Sequence, residues 1–156
     1  MAEKLPIGKI GQIGMVVKDM DKTIEYYESV GIGPFKQMKK IAFVKREFWG
    51  KPVPVDSIKS RITAAQMGPI QIELIEPVEG DSHWKRYLDT RGEGIHHFGF
   101  FVDDIDKEEA KVVEQGLDIV YSSRFDDGGG VCYFDPGRGG VLFELIDMRG
   151  EMLAQD

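Results

Sequence analysis

The chain is poor in cysteine and histidine, with one and three respectively, and it has no apolar run approaching a membrane span. Each scarcity excludes something. A single cysteine, Cys132, cannot form an intramolecular disulfide, which fits a reducing compartment. Cys132 sits in an apolar, strand-like run at 130–134 with no evident base partner, so it reads as a packed small residue and not a nucleophile. A helical span needs ~20 consecutive apolar residues, and none are present, so no membrane partner is expected. The first residues lack the apolar core of a secretory signal, and the expected location is the cytoplasm. Positive charge is in deficit: 20 Lys and Arg stand against 27 Asp and Glu, a net charge of −7. That balance argues against nucleic acid as the main partner. The glycine-rich stretches at 126–130 and 135–140 are not phosphate loops, because no Gly-Lys-Ser/Thr follows and neither opens a helix; they read as tight turns.

What remains is an ordinary globular composition. The chain has 156 residues, 42% hydrophobic and 30% charged, enough to bury a core. Its cations cluster: Lys36, Lys39, Lys40, Lys45, Arg46, Lys51, Lys59 and Arg61 crowd one stretch. That stretch is either a solvated loop and strand edge or a landing place for an anionic substrate.

The strongest signal is an internal repeat. Gln12-Ile13-Gly14-Met15-Val16-Val17-Lys18-Asp19-Met20-Asp21-Lys22 returns without a gap as His97-Phe98-Gly99-Phe100-Phe101-Val102-Asp103-Asp104-Ile105-Asp106-Lys107. Later, Ile72-Glu73-Leu74-Ile75-Glu76 returns as Phe143-Glu144-Leu145-Ile146-Asp147. A duplicated fold sets equivalent residues around a pseudo-twofold axis. The pattern predicts a strand at 8–17 and then a helix capped by Asp19 or Asp21. A possible strand at 40–48 and a hairpin of 60–67 with 70–75 come next. A linking helix near 81–88 is expected to be capped by Ser82, with His83 and Trp84 as surface and packing residues. The second unit predicts a strand at 95–102, a helix at 106–115 capped by Asp106, and strands at 119–122, 131–134 and 141–146. The capping expectation pairs Asp106 with Glu109. The fold class is α+β, with modules at 8–78 and 95–148 joined by a helical connector at 79–94.

Alternation sorts the repeat's residues. Ile13, Met15 and Val17, with Phe98, Phe100 and Val102, form an apolar face that must cover the helices. Gln12, Gly14 and Val16, with His97, Gly99 and Phe101, face something else. His96 falls on the apolar face or at its edge, which selects His97 as the candidate ligand. Glu73 and Glu144 lie inside apolar runs, where an ionised carboxylate is costly without a partner. Gln12, Glu73, His97 and Glu144 thus read as one metal site or as a polar, metal-free cup. Two carboxylates, an imidazole and an amide oxygen suit Zn²⁺, Mn²⁺, Co²⁺, Ni²⁺ or Fe²⁺.

At these residues the chain resembles the vicinal oxygen chelate superfamily, which includes glyoxalase I and methylmalonyl-CoA epimerase. The segments 92–100, 102–105 and 139–145 carry a likeness to the epimerases. The resemblance implies two tandem βαβββ modules whose sheets curl into a cup. It also implies one divalent metal ion held by Gln12, Glu73, His97 and Glu144. Epimerases of this type usually have His at the position of Gln12; the order Gln, Glu, His, Glu resembles one class of glyoxalase I, or lactoylglutathione lyase. The shared chemistry is removal of a proton from the carbon beside a carbonyl, followed by reprotonation. Glu144 is then the candidate base and Glu73 the opposing acid/base. The implied substrate is a small molecule, a thioester or hemithioacetal, and a homodimer is expected. The competing expectation is a metal-free binding protein that uses the same cup.

Overall fold

The computed structural model describes residues 2–5 and 7–153. Ten strands and three helices follow one another: β1 (Gln12–Val16), α1 (Met20–Ser29), β2 (Lys36–Gln37), β3 (Phe43–Phe48), β4 (Lys51–Pro52), β5 (Lys59–Met67) and β6 (Ile70–Glu79). After them come α2 (His83–Arg91), β7 (Gly94–Phe101), α3 (Ile105–Glu114), β8 (Asp118–Phe125), β9 (Gly130–Asp135) and β10 (Leu142–Asp147). All ten strands join one sheet, in the order β2-β5-β6-β1-β7-β10-β9-β8-β3-β4. The architecture is α+β, and the sheet curls without closing.

The repeat is visible in this order. β1 runs parallel to β6 and β7 runs parallel to β10, while β1 and β7 meet antiparallel at the centre. The hairpin of β3 and β4 departs from strict duplication. It lies between β2 and β5 in sequence, yet β3 pairs with β8 at the far end of the sheet. Strands from 8–78 and from 95–148 therefore share one hydrogen-bonded surface.

Alternation places the core on both faces. Val17, Met20 and Leu74 pack with Met15, Ile24 and Tyr27 under α1. Phe100, Ile105, Val112, Cys132, Phe134 and Leu145 pack under α3. The inner face carries Val16, Ile58, Ile75, Trp84, Val120, Tyr121 and Tyr133. Each outer helix starts on a carboxylate from the last strand of its own repeat. The Met20 amide donates to Glu76 at 2.6 Å, and the Ile105 amide donates to Asp147 at 3.1 Å. Bonds of this kind satisfy amides that a helix leaves unpaired in its first turn.

Two local expectations are corrected. The cap of α3 is Asp104, which accepts from the Lys107 amide at 3.1 Å, and not Asp106. Asp104 is the repeat equivalent of Asp19, which caps α1 in the same way. Glu109 instead accepts from the Ser122 hydroxyl and from Arg124. Ser82 caps α2 and Trp84 packs in the inner core as expected, but His83 is not a surface residue: it too is 5% exposed. No helix is long and apolar enough to cross a membrane among the described residues.

Candidate metal centre

The four central strands β6, β1, β7 and β10 deliver the four sequence-selected side chains to one point. The register explains how. Gly14 on β1 lies beside Glu73 on β6 and beside His97 on β7. Gly99 on β7 lies beside Gln12 on β1 and beside Glu144 on β10. Each repeat glycine thus sits between two polar side chains and adds no Cβ to the crowd.

His97 is fully buried and forms the hub. Its Nε2 lies 3.0 Å from Glu144 Oε2, 3.2 Å from Gln12 Oε1 and 3.5 Å from Glu73 Oε1. One ligand atom from each of Glu73, His97 and Glu144 lies within 4.8 Å of the others, so this buried group can hold a metal ion. The Gln12 amide is oriented by its own donor side. Its Nε2 donates to Glu73 Oε2 at 3.1 Å and to Gln71 Oε1 at 3.3 Å, leaving Oε1 turned toward His97. Gln71 was not singled out from the sequence, although alternation puts it on the face of Glu73.

The donor set fits a cation better than a proton. Three oxygens converge on His97 Nε2, which carries at most one hydrogen. Glu144 Oε2 is buried and has no hydrogen bond of good geometry, despite its closeness to the ring. Burial pulls the His97 imidazolium down, but Glu144 and then Glu73 more than reverse this and raise its pKa to about 9. Burial raises the Glu144 carboxyl above its ordinary value and Glu73 adds to the shift, while His97 opposes it. A bound dication would supply the positive charge that both carboxylates face.

The other ring nitrogen of His97 is also engaged. Its Nδ1 lies 3.0 Å from His96 Nδ1. Burial, helped by His97, pushes His96 well below its ordinary pKa, so it stays neutral. A neutral His96 can accept a proton donated from His97 Nδ1, which leaves the His97 Nε2 lone pair free for a metal. His96 is 1% exposed, packed against His83, Tyr87 and Tyr133. Alternation had marked it only as the residue that is not the ligand.

A cavity of about 440 Å³ opens onto this group. Gln12, Glu73 and Glu144 line it, with Tyr121, Tyr133 and Trp84 as aromatic walls. Lys39, Arg46, Lys59 and Arg61, from the basic stretch, also line it. Its size is within the range of small-molecule sites. Among the described residues that line it, Glu73 and Glu144 are the only carboxylates.

The family model for the glyoxalase, bleomycin resistance protein and dioxygenase superfamily matches residues 11–134. The chain belongs to this superfamily. Among superfamily structures, methylmalonyl-CoA epimerase from Mycobacterium tuberculosis is 29% identical, with a TM-score of 0.61 over 94% of this chain and 91% of that one. A variant of the Streptomyces coelicolor methylmalonyl-CoA epimerase, in complex with 2-nitronate-propionyl-CoA, is 25% identical with a TM-score of 0.63. It covers 92% of this chain and 94% of that one. Among curated proteins, YqjC of Bacillus subtilis is 24% identical over 148 residues, 93% of this chain and 96% of its own. The superfamily fold and a likeness to the epimerases are thereby shown.

Cys132, the one thiol, lies outside this site. It is fully buried under α3, and burial raises its pKa far above the ordinary range, which suits a packing residue.

Proposed function

We propose that the chain is a divalent-metal-dependent enzyme of the glyoxalase and epimerase group. It removes a proton from a carbon next to a carbonyl and returns it to the same or a neighbouring carbon. The observation that carries this reading is the convergence of Gln12, Glu73, His97 and Glu144 at a cavity on whose lining, among the described residues, there is no other carboxylate than Glu73 and Glu144. Those four residues would hold the metal, and the donor set suits Zn²⁺, Ni²⁺, Co²⁺ or Mn²⁺. When bound, such an ion supplies Lewis-acid polarisation of a carbonyl oxygen.

The rest falls to the chain's own residues. Gln12 and His97 hold position through Gln71 and His96. Glu144 is the candidate base: it reaches the cavity, and burial raises its carboxyl above the ordinary value. Glu73, on the opposite repeat, is the candidate for the opposing acid/base that returns the proton. Tyr121, Tyr133 and Trp84 give the cavity an aromatic wall beside the reacting carbon. The substrate is a small thioester or hemithioacetal, and the solution state is a homodimer in the cytoplasm.

Elemental analysis followed by turnover assays on methylmalonyl-CoA and the methylglyoxal–glutathione hemithioacetal tests the reading. Expected are about one metal ion per chain and turnover that chelation abolishes. Glu144→Gln is expected to lower turnover by roughly 10²-fold or more while the metal is retained. A Glu144→Gln protein with full metal and full turnover removes Glu144 as the base, and a metal-free active protein removes the reading. Light scattering that gives a monomer at micromolar concentration removes the dimer.

A further inference from the structure

We infer that Arg46 reads an anionic group on the ligand: the cavity takes a molecule that carries a carboxylate in addition to the oxygen presented to the His97 group. The inference rests on the cavity being the substrate site, but its test needs no metal.

The cations along the cavity are not alike. Lys39 has Asp127 at 4.0 Å, Lys59 has Glu79 at 2.8 Å, and Arg61 has Asp21 at 2.6 Å. These pairs answer the basic stretch in the bland way for three of its members. Arg46 is different. It is 6% exposed and has no carboxylate within 4.0 Å among the described residues. A guanidinium does not lose its proton, so its charge stays in the cavity wall. A buried charge without a counter-charge is costly.

The surroundings hold Arg46 in one pose without neutralising it. Nη1 donates to the Val55 and Ile58 carbonyls, each at 2.8 Å. The Phe43 ring lies 3.7 Å from Cζ, a cation–π contact. Nε is buried and makes no hydrogen bond. Directly across the strand pair is Ser123, whose Oγ is fully buried and also lacks a bond of good geometry. The Tyr121 hydroxyl lies beside both Arg46 and Ser123.

Arg46 and Tyr121, on β3 and β8, line the same cavity as Gln12, Glu73 and Glu144. A carboxylate bound against Arg46 in the cavity would give the guanidinium the counter-charge that the described residues do not supply.

Malonate and malonamide are matched in shape and differ in charge. Thermal unfolding with each, in EDTA and at ionic strength matched with chloride, tests the inference. The unmutated chain is expected to be stabilised by malonate with an apparent affinity at least about tenfold above that for malonamide. Arg46→Met is expected to erase the difference, and Arg46→Lys to retain part of it. Equal shifts from the two compounds on the unmutated chain overturn the inference, whether or not the variants fold. So does a malonate preference that persists in a folded Arg46→Met protein. A chain that takes up no metal yet shows the Arg46-dependent preference overturns the metal-dependent reading and leaves this one standing.

Discussion

Gly14 on β1 lies directly across from His97 on β7, and a Cβ placed on Gly14 would stand 1.9 Å from His97 Cε1. The glycine of each repeat is therefore part of the site, although it offers no ligand. Its counterpart Gly99 faces Gln12, where a Cβ would stand 2.9 Å from Gln12 Cβ and 2.8 Å from Ile146 Cδ1.

The two positions differ in how far the neighbour can yield. Gly14→Ala drives a methyl group into a ring that is fixed at both nitrogens. It is expected to cost about 1–3 kcal/mol in denaturant unfolding and to abolish metal uptake. Gly99→Ala meets the methyl end of Ile146, which can turn aside, and Gln12 only at 2.9 Å and beyond, so its metal affinity is expected to fall less. Elemental analysis of both variants beside the parent checks the order. A Gly14→Ala protein with full metal content would refute the clearance argument.

The His96–His97 contact gives a second expectation. His97 Nε2 can present a lone pair only if Nδ1 carries the proton, and His96 Nδ1 is the group that accepts it. His96→Phe keeps an aromatic ring among Tyr87, His83 and Tyr133 but removes the acceptor. Metal affinity is expected to fall by about 10–100-fold, with little loss of fold. Competition with a chelator of known affinity measures it, and an unchanged affinity would show that the contact does not orient His97.

Much of the site was legible because duplication supplied an internal comparison. Matching the repeats isolates Glu73 and Glu144 from 27 acidic residues. Alternation then separates His97 from His96. The same comparison, carried one step further, gives the α3 cap, since Asp104 is the partner of Asp19. What was not legible depends on contacts far apart in sequence. Arg46 is one of eight cations in its stretch until β3 pairs with β8 and leaves it without an acid. His83 reads as a polar residue at a helix start until Tyr121 and Tyr133, dozens of residues away, close around it.

His83 carries a pH prediction. Its ring stacks on Tyr121 at 4.7 Å and packs against Trp84, Tyr133 and Phe48. Neither of its nitrogens has a hydrogen-bond partner. Burial, with His96, His97 and Arg46 adding to it, lowers its pKa well below 6.5. The unfolded chain therefore binds a proton at this residue that the folded chain refuses. Stability from this source is present above about pH 6.5 and is lost as pH falls below it, by up to about 1.4 kcal/mol per pH unit. His83→Phe fills the same space and has nothing to protonate. The difference in unfolding free energy between variant and parent is expected to widen in the variant's favour from pH 7 to pH 5. A difference that stays flat over that range would mean that His83 is protonated in the folded protein.

The two acids that close the second repeat separate stability from chemistry. Glu144 and Asp147 lie three residues apart on β10 and project to opposite faces of the sheet. Glu144 reaches the cavity, whereas Asp147 accepts from the first amide of α3 and pairs with Arg149 at 3.1 Å. Asp147 is 3% exposed, so its loss leaves the Ile105 amide buried without a partner. Asp147→Ala is expected to cost about 1–3 kcal/mol in denaturant unfolding, with metal affinity within about twofold of the parent. Glu144→Ala is expected to abolish metal uptake, because it removes one of the converging carboxylates. In the chelated protein the buried His97 ring keeps only Glu73, at 3.5 Å, as an acidic partner. Parallel denaturant titrations and metal analyses of the two variants read both effects. If Asp147→Ala also lost its metal, the outer helix would have to hold the site in register through β10, and the two faces of the strand could not be treated as independent.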